Sequence, residues 1–288
     1  MKLVRFGEFG DERPGVWLEE SGKAMILDVR ATAFDIEDYN EHFFSHYGLE
    51  RLENLLKERN RKMIPAEGIR LGAPIARPGK IICLGKNYAE HAKEFDAKVP
   101  SSPILFSKAA TAMIGPNDNV ILPSNCKTID GELELAVVIG KQARKVSADK
   151  AFDYVAGYTI LNDVTDREAQ RSGQQWFRGK SADTFCPVGP WLVTKDEIKD
   201  PHNLKLKFIH NGAVLQDDST ANMIFNIPFV ISFISASIAL LPGDVIATGT
   251  PAGIGSLRNP PVVFCPGDQI ELTIEGLGRQ SNKIVVAE

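Results

Sequence analysis

Runs of like charge are missing from this sequence. Among 33 basic and 37 acidic residues no block of lysine and arginine stands out, and the net charge is −4. Phosphate backbones are met by clustered positive charge, so nucleic acid is not an expected partner. Cysteine is sparse as well: Cys83, Cys126, Cys186 and Cys265 lie far apart, with no CxxC pair. That spacing argues against a disulfide frame and predicts reduced thiols in an intracellular protein, expected in the cytoplasm. The opening MKLVRFGEFGDE holds no apolar core of a secretory signal, so none is expected. No fixed-period repeat and no low-complexity segment is visible.

Charge vanishes entirely between Ser219 and Gly243. The apolar part, IPFVISFISASIALL, carries Pro228 and three serines, is flanked by Asp218 and Asp244, and lacks basic anchors. These features predict a buried helix rather than a membrane span.

What is present is an ordinary globular composition, 43% hydrophobic and 24% charged over 288 residues, enough for ample core. KLVRFG, GVWLEE and SGKAMILDV read as short strands, and GLERLENLLKERNRK places Leu49, Leu52, Leu55 and Leu56 at helical spacing. Pro65, Pro74 and Pro78 punctuate a link, which sets a small N-terminal domain at 1–72 and a main domain at 73–288. The main part alternates short strands with Gly and Pro turns, and Asn211-Gly212 signals a type I′ hairpin. Helical patterns fall at NYAEHAKEF, SADKAFDY, DVTDREAQ and the 225–241 run. The expected class is therefore α+β, a β-rich barrel or pair of packed sheets decorated by helices.

Candidate chemistry begins in DGELELAVVIG. Side chains alternate along a strand, so Glu132 and Glu134 share a face with Ala136 and Val138. Two like charges one pleat apart either face water or hold a hard divalent ion, with Asp163 as a third ligand at the end of YVAGYTILN. In NYAEHAKEF, His91 and Glu94 are helical neighbours: either a surface pair or a general base with its orienting carboxylate. Lys180 is either a surface lysine in a loop of small residues or a cation for a developing oxyanion. Gln170, two turns beyond Asp163, either projects over the same site or is a surface amide. ATGTPAGIG is no P-loop: it is either a plain loop after a strand or one whose N–H groups, with the hydroxyls of Thr248 and Thr250, turn towards a carboxylate. His42 and His46, spaced i and i+4 with no third ligand nearby in sequence, read as a solvated helix face.

Taken in order, ICLGKNYAEHAKEF, DGELELAVVIG, YVAGYTILNDVTDREAQ, GKSADTFCPVGPWLVT and GDVIATGTPAGIG resemble the fumarylacetoacetate hydrolase family from about Pro78 onward. The tail LRNPPVVFCPGDQIELTIEGLGRQ and the SADTFCPVGPWLVT block look most like its bacterial 2,4-diketo-3-deoxy-L-rhamnonate or L-fuconate hydrolases. The resemblance implies a mixed β-roll C-terminal domain, commonly a homodimer, and a Mg²⁺ or Mn²⁺ site (Ca²⁺ in some crystals) on Glu132, Glu134 and Asp163. It also implies a His91–Glu94 base on a lid helix, a catalytic lysine at Lys180, and substrate contacts at Gln170 and Thr250. A further aspartate ligand of fumarylacetoacetate-cleaving members has Asn87 as its nearest counterpart, which favours acylpyruvate or sugar-acid substrates.

The expected activity is metal-dependent hydrolysis of the C–C bond of a 2,4-dioxo acid, giving pyruvate and a second acid. A decarboxylase of oxaloacetate-type acids and a hydratase or isomerase of 2-oxo-enoic acids rest on the same stabilised enolate. A non-catalytic dimeric module with a structural metal is the alternative of a different class.

Overall fold

The structure is a computed structural model and describes residues 1–94, 99–124 and 126–287. The predicted helix at NYAEHAKEF is present as Ala89–Glu94, while its last residue, Phe95, lies outside the described residues, as does Glu288 at the end of the expected main domain.

One large sheet runs through the molecule. Its order is Met63–Pro65, Lys23–Asp28, Arg13–Glu20, Lys2–Phe6, Cys186–Thr194, Val155–Asn162, Leu133–Ile139, Val245–Ala247, Ile81–Gly85 and Ile104–Lys108. The N-terminal strands join the rest by antiparallel pairing of Lys2 with Val193 and Leu3 with Leu192. Leu71–Gly72, at the expected boundary, pairs with Arg5–Phe6. A second sheet of five strands includes the hairpin Lys205–His210 and Ala213–Ser219. Its turn has positive φ at both Asn211 (48°) and Gly212 (81°), as the type I′ signal requires. The fold is thus α+β, with a smaller N-terminal α/β part and a larger part of mixed sheets.

The strand Leu133–Ile139 lies in mid-sheet, between Val155–Asn162 and Val245–Ala247, and every one of its residues is buried. Leu133, Leu135, Val137 and Ile139 point into the larger core, with Phe208, Leu272 and Ile231. Ala136 and Val138 point to the other core, with Cys83, Leu161, Cys186 and Ala247. Small residues on that second face leave room beside the glutamates that share it.

Helices are shorter than periodicity suggests. The uncharged run folds as Ile227–Ser235, capped by Asn226 Oδ1 accepting from Phe229 N at 3.0 Å, with Pro228 in its first turn. No helix among the described residues is long and apolar enough to cross a membrane. The piece from Gly48 ends at Leu55 and SADKAFDY becomes a 3₁₀ turn, Ala148–Tyr154. DVTDREAQ corrects the sequence expectation most. Thr165–Asp166 pairs with Ile129–Asp130, and the helix starts only at Arg167, where Asp166 Oδ1 caps Glu168 N and Ala169 N. The capping aspartate, an unfavourable residue inside a helix, marks the true start.

Candidate metal and substrate site

Register brings the three acids together. Leu133 pairs with Asn162, and Asp163 N donates to Glu132 O at 2.8 Å just beyond that pair. Asn162 Oδ1 accepts from Glu132 N at 3.1 Å. One oxygen each of Glu132, Glu134 and Asp163 lies within 4.8 Å of the others, and all three residues are buried. They do not face water.

Cations surround them unevenly. Lys180 Nζ bridges Glu132 Oε2 at 2.6 Å and Asp163 Oδ2 at 2.5 Å. Arg167 Nη2 reaches Glu132 Oε1 at 2.8 Å and its Nε reaches Asp130 Oδ1 at 2.7 Å. Lys108 Nζ donates to Asp163 Oδ1 at 2.5 Å and to Val164 O at 3.1 Å. Glu134 has no cation within ion-pair distance among the described residues; its Oε2 accepts from Gly249 N at 2.7 Å. Burial raises the Glu132 carboxyl, but Lys180 and then Arg167 outweigh it and hold the group far below the usual carboxylate range. Burial, then Asp163 and Glu132, push Glu134 well above that range.

That imbalance tests the site for a cation. Among the described residues of this cluster, four buried carboxylates (Asp130, Glu132, Glu134, Asp163) face three buried cations (Lys108, Arg167, Lys180), a deficit of one positive charge at Glu134 when all four are ionised. All-oxygen donors in a cluster short of positive charge fit a hard divalent ion.

Lys180 is not in a loop, and it is not a surface lysine. It ends the short helix Phe177–Lys180 and is 1% exposed. Gly179 makes this possible: a Cβ there would meet Gln170 N at 2.6 Å and Asp166 O at 2.8 Å, so only glycine lets the two helices approach. Burial disfavours the Lys180 ammonium, yet Asp163 and Glu132 overcome this and keep it charged.

A cavity of about 320 Å³ opens onto the cluster. His91 lines it, 4% exposed, with Nδ1 3.2 Å from Glu94 Oε2; Glu94 Oε1 in turn accepts from Gly253 N at 2.8 Å. Gln170 and Thr250 line it too, Gln170 accepting from Arg167 Nη1 at 3.2 Å. Phe106 and Trp176, packed edge to face at 5.2 Å, form an apolar wall, and Lys180 Nζ lies 5.0 Å from the Phe106 ring centre. All eight residues expected at the site are therefore in or beside one cavity.

Others are elsewhere. Thr248 Oγ1 turns to Leu135 O at 2.9 Å. Asn87 spends its amide on Phe225 O, Thr248 O and Phe225 N, latching three segments together. His42 and His46 stack, ring centres 4.1 Å apart, on the exposed Glu41–Ser45 turn. Lys108, Asp130, Arg167 and Gln216 were not anticipated. For Lys108 the only sequence sign was a lysine closing the apolar strand SPILFSK.

Residues 80–285 match the fumarylacetoacetate (FAA) hydrolase C-terminal family. The chain belongs to that family. It is 46% identical to a mitochondrial oxaloacetate tautomerase of Homo sapiens, over 99% of this chain and 92% of the relative. It is 41% identical to the 2,4-didehydro-3-deoxy-L-rhamnonate hydrolase of Sphingomonas sp. (strain SKA58), over 99% and 96%. Among solved structures it is similar to a maleylpyruvate hydrolase from Sphingobium sp. SYK-6 in complex with manganese(II) and pyruvate, with TM-score 0.81, 31% identity and full coverage of both chains.

Proposed function

We propose that this protein interconverts the enol and keto forms of a small 2-oxo dicarboxylic acid of the oxaloacetate type. Likeness to the human tautomerase supports that reaction over the hydrolysis expected from sequence. The observation that carries it is the pairing, in one cavity, of the His91–Glu94 dyad with a carboxylate cluster bridged by Lys180. Glu132, Glu134 and Asp163 would hold Mg²⁺ or Mn²⁺, which would supply Lewis-acid polarisation of a 2-oxo group.

Enolisation moves one proton from carbon and places one on oxygen; it breaks no C–C bond. Glu94 at Nδ1 fixes the tautomer of His91 and assigns proton exchange to Nε2. Lys180, charged beside the cluster, steadies the oxygen on which negative charge grows. Arg171 adds a cation to the cavity lining beside Arg167, which is held by Asp130 and Glu132, and Gln170 and Thr250 contact the substrate.

A second reading, hydrolysis of a 2,4-dioxo sugar acid, is favoured by the Sphingomonas relative. There the same dyad takes its proton from water. As in the sequence expectation, we also propose a homodimer, checked by sedimentation.

The deciding experiment supplies oxaloacetate enol, and separately 2,4-dioxo acids, with Mg²⁺. Faster loss of enol absorbance without pyruvate or carbon dioxide is the expected result. Pyruvate from the dioxo acids alone replaces the first reading with the second, and carbon dioxide from oxaloacetate replaces both with decarboxylation.

A further inference from the structure

Gln216 sits on Ala213–Ser219, far from the acids in sequence, and is 1% exposed. Its Oε1 accepts from Leu133 N at 3.0 Å, the backbone amide between Glu132 and Glu134. Its Nε2 donates to Pro251 O at 2.7 Å and to Thr250 Oγ1 at 2.8 Å. Only this amide orientation works. The flipped form sets NH₂ against the Leu133 N–H and oxygen against the Pro251 carbonyl, two buried clashes of like polarity.

The consequence falls on Thr250. A hydroxyl both donates and accepts, but here an oxygen lone pair is already taken by Gln216. Among the described residues no protein acceptor takes the hydroxyl's own proton, and Thr250, 2% exposed, lines the cavity. We infer that Gln216 is a positioning residue that fills one lone pair of the Thr250 hydroxyl and leaves its proton for the cavity, so that this end of the cavity favours an acceptor, a carboxylate, over an ammonium group. The inference deepens the reading of an oxo-dicarboxylate site and rests on it for the carboxylate.

Backbone shape supports the link. Gly253 has φ of +111°, and a Cβ there would lie 2.0 Å from Leu215 O and 3.2 Å from Gln216 Cγ. Glycine therefore presses the 248–255 loop onto the strand that bears Gln216, and Arg258 Nη2, donating to Leu215 O at 2.6 Å, pins the same strand.

The test is a double-mutant cycle read by calorimetric titration of oxalate into the manganese-loaded protein. Thr250→Val and Gln216→Met each lower oxalate affinity about tenfold, the scale of one hydrogen bond to a charged group. Thr250→Ser stays within about threefold, and the double variant Gln216→Met/Thr250→Val is no weaker than either single one. Additive losses show that Gln216 acts only by supporting the Leu133 strand, and they overturn the inference. So does unchanged affinity in Thr250→Val, or a wild type that binds manganese but not oxalate. A Thr250→Val variant with intact manganese affinity keeps the test clear of misfolding. Oxalate does not react, so the result stands apart from whether the protein is a tautomerase.

Discussion

Lys108 Nζ and Asp163 Oδ1 lie 2.5 Å apart, and neither side chain reaches solvent. A buried pair is costly to break because the survivor keeps its charge with less compensation, here Asp163 left with Lys180 alone. Lys108→Met is expected to destabilise the fold by about 3–5 kcal/mol, measured by urea denaturation. A loss under about 1 kcal/mol, the scale of an exposed pair, removes Lys108 from the framework of the site.

Metal binding is expected to depend on Glu134 above all, since it is the acid of the three with no paired cation among the described residues. Glu134→Ala should weaken Mn²⁺ binding by more than the roughly 10–100-fold that loss of an outer partner costs. Calorimetry with Mn²⁺ reads this directly. Activity of the variant at wild-type level in excess chelator contradicts any role for the ion.

Proton transfer is expected to separate His91 from Glu94. His91→Ala should lower kcat about 10²–10⁴-fold with a smaller change in KM, while Glu94→Gln, which leaves the imidazole present, loses less. Steady-state kinetics on oxaloacetate enol checks both, and an unchanged kcat in His91→Ala excludes the dyad.

Away from the site, Asp268 accepts from His210 Nε2 at 2.8 Å, Asn211 Nδ2 at 2.7 Å and Cys265 N at 2.7 Å. Burial raises its carboxyl, but the bonds from Asn211, Cys265 and His210 outweigh that and leave it below the ordinary value. A group lowered on folding stabilises above its unfolded pKa and loses that contribution as pH falls through the folded one. Asp268→Asn should therefore be less stable than wild type at pH 7, with the gap closing from about pH 4 downward. Thermal melts across pH measure it, and a gap that widens in acid reverses the sign.

Much of the site was legible because alternation and short-range spacing are local properties. Glu132 and Glu134 had to share a face once the strand formed, and His91 and Glu94 had to be neighbours on a helix turn. Asp163 followed from a strand ending where a new element begins. Lys108 and Gln216 were not legible: they reach the cluster through strand pairing and loop packing between segments up to 83 residues apart. Arg167 was hidden differently, since the run around it carries a helical pattern while Thr165–Asp166 is held as strand by Ile129–Asp130. Lys180 looked like a loop lysine because its burial depends on Gly179 packing against the neighbouring helix.

The 248–255 loop touches Glu134 through Gly249, Glu94 through Gly253 and Gln216 through Thr250. A shift in that backbone would disturb Glu134, the His91–Glu94 pair and Thr250 together. Variation in this loop is thus constrained threefold, whereas Leu84, Phe106, Arg171 and Trp176 line the same cavity without belonging to the loop.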